Sequence, residues 1–126
     1  MKTTIWNKDN CKKYAHSKGS MNVAIDGRIS FNSTALEILG FTEKSRFQFV
    51  QDSENLENWY IQPISSIRGF QINCVKNRAI FYNRALAIKI LQSINAGTSA
   101  KFIISPHLYE EIYIPIITHS KEEKND

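Results

Sequence analysis

Arg28 and Arg78 stand fifty residues apart, each directly after a short turn-like dipeptide, Asp26-Gly27 and Lys76-Asn77. A guanidinium is a planar fork of donors that matches a phosphate, and an ammonium is a compact point charge. Lys76, Arg84 and Lys89 lie close to Arg78 in the chain, and Lys12 and Lys13 add charge near the start. Residues 70–106 carry Lys76, Arg78, Arg84, Lys89 and Lys101 with no acid, and no Asp or Glu occurs between Asn58 and Tyr109. An acid-free basic stretch fits a polyanion, because phosphate contacts need cations and dominate nucleic-acid affinity. These seven residues, Arg28, Lys76, Arg78, Arg84, Lys89, Lys12 and Lys13, are therefore the candidate nucleic-acid contacts. Phe70, Phe81 and Tyr82 stand near them as candidate base-stacking rings, although a phenylalanine such as Phe81 reads first as core. Competing with this reading is a solvated basic face balanced by acidic segments at 21–69 and 107–126.

Other chemistries find less support. No nucleophile motif, P-loop, metalloprotease helix or paired-carboxylate helix occurs, so the chain reads as a non-enzyme with no cofactor. Asp52, Glu54 and Glu57 cluster in a turn-rich loop, where solvated charge is the simpler account. His16, His107 and His119 lack metal-ligand spacing. Cys11 and Cys74 form no C-x-x-C, and without an export signal they are expected reduced. No apolar run approaches the ~20 residues of a membrane helix. The basic, polar start is not a secretory leader, which makes the cytoplasm the expected location.

The chain that must position these groups has 126 residues, 42% of them hydrophobic, enough for one domain. Residues 1–20 read as a basic arm pinned by Trp6 and Tyr14, 21–117 as the domain, and 118–126 as a polar tail. MNVAI (21–25) and RISF (28–31) are hairpin arms around Asp26-Gly27. Asn32, Ser33 and Thr34 offer N-cap oxygens, and Thr34 with Glu37 fits a capping box, for a short helix that Gly40 stops. RFQFV (46–50), WYIQPI (59–64) and FQINCV (70–75) are strands. After the turn Lys76-Asn77, RAIF (78–81) is another, and Asn83 caps a helix over 84–94 whose residues 86, 87, 90, 91 and 94 share one apolar arc. NAGTS is a loop, AKFII (100–104) a strand, and YEEIYIPIIT one strand or two, with Pro115 arguing for an edge.

This order repeats. Arg28, Phe31, Ala35, Leu36 and Ile38 recur as Arg78, Phe81, Ala85, Leu86 and Ile88. The predicted class is α+β, mainly β. Two strand-turn-strand-helix-strand repeats, 21–50 and 71–104, form one pseudo-twofold small barrel or sheet with two short helices and with Leu36 and Leu86 as equivalent core residues. The stretch DGRISFNSTALEILGFTEKSRFQFV resembles the AbrB/MazE-type swapped-hairpin transcription factors at Gly27-Arg28, Leu39-Gly40 and Phe47/Phe49. It departs from them at Asn32, where that pattern has Pro, and in the second copy at Asn77 and Tyr82. The resemblance implies both halves of a hairpin-swapped barrel in one chain, with strand cations on DNA.

The leading expectation is a nucleic-acid-binding module, in its finer form an AbrB-like transcriptional regulator. The alternative is a protein–protein module, such as an antitoxin-like partner binder or a phage or mobile-element structural subunit. On either reading a homodimer or another protein partner is compatible with the opposite charges of the two termini, and no membrane is involved.

Overall fold

A computed structural model describes residues 18–75, 78–110 and 112–123. Lys12, Lys13, Lys76, Cys11, the arm before Lys18 and the turn at 76–77 lie outside the described residues. The chain runs β1 (Ser20–Ala24), β2 (Arg28–Phe31), α1 (Ser33–Leu39), β3 (Arg46–Gln51), β4 (Trp59–Ile64), β5 (Asn73–Val75), β6 (Arg78–Tyr82), α2 (Arg84–Ser93), β7 (Ala96–Ile104) and β8 (Ile114–Glu123). The architecture is mainly β with two helices, as expected. The eight strands form one antiparallel sheet in the order β3-β4-β8-β7-β1-β2-β6-β5.

The sheet curls into a half-barrel, and one isolated bridge crosses between its ends. Phe47 of β3, at one edge, exchanges backbone hydrogen bonds of 3.1 and 2.7 Å with Phe70, which leads into β5 at the other. FQINCV is therefore a strand only over Asn73–Val75, its first residue serving as the seam. The seam encloses an aromatic cluster. Phe47 is fully buried and touches the rings of Phe31, Phe41, Phe49, Phe70 and Phe81 at centroid distances from 4.9 to 6.1 Å.

Strand alternation sorts the side chains. Met21, Val23, Ile29, Phe31, Ala79, Phe81, Ala100, Phe102 and Ile104 point inward and are buried. Both helices pack against the inner side. Ala87, Ile90, Leu91 and Ile94 of the predicted arc are buried, each large member contributing about 1.5–3 kcal/mol. Leu36 and Leu86 are only partly buried, and the buried places on α1 belong to Ala35 and Leu39. The fifty-residue spacing slips at this point. One residue, Asn32, caps α1 directly after Phe31, but Tyr82 intervenes between Phe81 and the cap Asn83. Leu36 and Leu86 thus sit one position apart relative to their caps.

The local stops follow from side-chain chemistry. Asn32 Oδ1 accepts from Ala35 N–H at 2.8 Å and from Ser20 N–H at 3.0 Å, while its Nδ2 donates to Lys18 O. One amide thus caps α1 and ties it to the start of β1, in place of the expected Thr34–Glu37 box. Gly40 adopts the left-handed φ of 66° and donates to Leu36 O, as expected of the helix stop. The first hairpin turn holds Ile25, Asp26 and Gly27, one residue longer than predicted, with Gly27 at φ 106°. A Cβ there would lie 2.9 Å from Arg84 N, so this turn docks on the start of α2.

Three further expectations are corrected. Most of NAGTS is strand rather than loop, because the turn takes only Ile94 and Asn95, the latter at φ 55°, and β7 starts at Ala96. The polar tail expected from 118 continues as β8 through Glu123, paired to β7 at Lys101↔Ser120, Ala100↔Lys121 and Ala96↔Glu123. Polar residues suit that strand because its side chains are exposed over 117–121. Pro115 lies in an interior strand between β4 and β7, not at an edge. Its carbonyl accepts from Ser105 N–H, and an antiparallel residue's N–H points the same way as its C=O. The missing donor therefore faces Ser105, just past the end of β7, and only the reciprocal bond of that terminal pair is forgone.

Candidate nucleic-acid interface

Register builds the outer face of the sheet. Residues directly opposite share a face, so Lys101, Asn22, Ser30 and Ile80 form one row across β7, β1, β2 and β6. Arg28 lies one outward step to one side of this row, opposite Tyr82. Arg78 lies one outward step to the other side. At ~3.4 Å per residue, the two arginine positions are about 14 Å apart along the β2–β6 pair.

These groups surround an open groove of about 610 Å³. Arg28, Arg78 and Lys101 line it with Asn22 and Ser30, and among the described residues no Asp or Glu does. Arg28 and Lys101 are half-buried and Arg78 is exposed. Asp26 does not neutralise Arg28 through an observed side-chain pair. Its carboxylate accepts instead from the Arg28 backbone N–H at 3.0 Å, which closes the turn and sets where Arg28 leaves it. Three cations spread along a face of neutral polar groups produce a positive potential that attracts phosphates or other anions.

Lys121 also lines the groove, but its ammonium is used elsewhere. It donates to Ile94 O at 2.7 Å, a carbonyl at the end of α2. A cation there complements the partial negative charge of the helix terminus, and α2 has no basic residue of its own in its last turn.

The predicted set is therefore divided. Arg28 and Arg78 come together, while Arg84 and Lys89 are exposed on α2 and do not line the groove. Lys101 was counted in the basic stretch but not among the candidate contacts. Its signal was present, since it alternates with Ala100 and Phe102, which are buried. Phe81 is core, and Phe70 packs in the ring cluster, whereas Tyr82 is exposed. Glu110 lies beside Tyr60.

The remaining chemistry is sparse. Asp52 accepts from Glu54 N–H in the acidic loop, and among the described residues no group of three His, Cys, Asp or Glu could hold a metal. Among them, too, no helix is long and apolar enough to cross a membrane. Burial, followed by the neighbouring Tyr109, Asp52 and Glu110, raises the Tyr60 phenol above its ordinary value. No family profile, curated protein or solved structure matches the chain.

Proposed function

We propose that the chain is a nucleic-acid-binding module that takes its ligand on the outer face of β7, β1, β2 and β6. The observation that carries this reading is the placing of Arg28, Arg78 and Lys101, distant in sequence, around one groove that, among the described residues, no carboxylate lines. Each cation that meets a phosphate releases condensed counterions, so affinity falls steeply with salt.

The finer reading is a duplicated, AbrB-like regulator. Pairing at the centre supports the duplication. Ile29 faces Phe81 and Phe31 faces Ala79, so each hairpin presents the same two positions to the other, exchanged about Ser30 and Ile80. The strand after each helix also reaches the first strand region of the other half, β7 along β1 and Phe47 at Phe70. Arg28 and Arg78 are then equivalent residues of the two halves.

Titration with mixed-sequence DNA at a series of salt concentrations tests the module. Binding at ~50 mM salt should weaken linearly on a log–log plot, and Arg78→Gln should lower the slope by about 1. No binding at low salt would leave a protein-interaction module as the better reading. That reading has one observation in its favour, the exposed Leu108, Tyr109 and Ile112 on the loop between β7 and β8.

A further inference from the structure

We infer that the ligand of this face is a single-stranded nucleic acid and that Tyr82 is its base-stacking platform; this rests on the nucleic-acid reading above. Tyr82 is 68% exposed, while Phe81 beside it is 5% exposed. Isolated exposed apolar groups are ordinary, and exposure alone would mean little. The position of Tyr82 is what matters. It pairs across the sheet with Arg28, on the face that carries Arg78 and Lys101. It is also the extra residue by which the second hairpin exceeds the first between its buried Phe and its capping Asn. The fold needs no residue there, because Asn32 follows Phe31 directly and still caps α1.

A planar ring among cations is the arrangement that binds single strands: cations track the backbone and the ring stacks on a base. A duplex keeps its bases stacked on one another and would offer Tyr82 only sugar and phosphate. Shape points the same way. The core fills the inner side of the curled sheet, so the outer face curves away from a rigid rod, whereas a flexible strand can follow it. Asn22, exposed between the cations, supplies a neutral hydrogen-bonding amide for base edges or sugars.

The test is fluorescence anisotropy on the full chain at ~50 mM salt. The probes are a DNA single strand of about 12 nucleotides, the RNA of the same sequence, and the matching DNA duplex. The single strands should bind more tightly than the duplex. Tyr82→Ala should weaken single-strand binding about 5- to 100-fold with duplex binding unchanged, and Tyr82→Phe should restore it. The ratio of DNA to RNA affinity then shows whether the sugar hydroxyl is read. Arg78→Gln should weaken all three probes. Tighter duplex binding, or single-strand binding indifferent to Tyr82→Ala, would overturn this inference and leave the module itself standing. Binding to none of the probes would overturn the module, and this inference with it.

Discussion

The two faces of the β2–β6 pair are built from the same nine residues and have opposite characters. Inward, Ile29, Phe31, Ala79 and Phe81 are buried, and both phenylalanines join the ring cluster around Phe47. Outward, Arg28, Ser30, Arg78, Ile80 and Tyr82 make a basic face with one exposed ring. The difference teaches that stability and charge are separable here residue by residue. The pleat turns neighbours to opposite sides, so a substitution on one face leaves the other face's contacts in place.

The largest effect should come from the inner face. Phe47→Ala removes the ring at the centre of the cluster and should cost about 3–5 kcal/mol, read as a lowered denaturation midpoint. A midpoint shift below about 1 kcal/mol would mean that the cluster does not hold the sheet curled.

Asn32 sits where the two faces meet, and it sharpens the comparison. Asn32→Ala deletes a helix cap together with the bonds to Ser20 and Lys18, and should cost about 1–2 kcal/mol. Asn83, whose side chain caps α2 by accepting from Leu86 N–H, should cost about 1 kcal/mol when changed to Ala. Equal losses from the two would show that the tie to β1 contributes nothing.

On the outer face, Arg28→Gln and Arg78→Gln should each change stability by no more than about 0.5 kcal/mol. A large loss from either would break the separation of the faces and make that arginine a structural residue.

The smallest effect lies at Tyr60, on β4. Its phenol is held above the ordinary value of 10.0, so the fold favours the protonated form. Stability is then unaffected below pH 10 and declines as pH rises from the unfolded value through the folded one. An absorbance titration should show a component ionising above pH 10, and Tyr60→Phe should remove it.

Much of the local structure was legible because it is written within a few residues. Alternation marks β2, β3, β4 and β6, and the apolar arc marks α2. Asn83 and Gly40 signal a helix start and a helix stop through one side-chain bond and one left-handed φ. The Asn32 cap was harder to single out, since Ser33 and Thr34 beside it offered similar oxygens. Only its extra partners, Ser20 and Lys18, distinguish it, and they lie in another element. The polar composition of 118–123 hid β8, because a strand with one solvated face needs a partner strand more than it needs apolar residues.

The sequence by itself determined the strand periods, the Asp26-Gly27 turn, the Asn83 cap, the Gly40 stop and the presence of basic residues with few acids among them. Each of these depends on neighbours within one turn or one pleat. Only the tertiary structure decided which cations share a surface. Lys101 joins Arg28 and Arg78 because β7 pairs with β1 and β2 pairs with β6, while Lys121 is drawn away to the end of α2. Phe47 meets Phe70 because the sheet curls and one isolated bridge crosses between its ends. Such adjacency depends on register between segments separated by tens of residues. A one-residue slip turns every side chain to the other face, and no short window of sequence fixes that register.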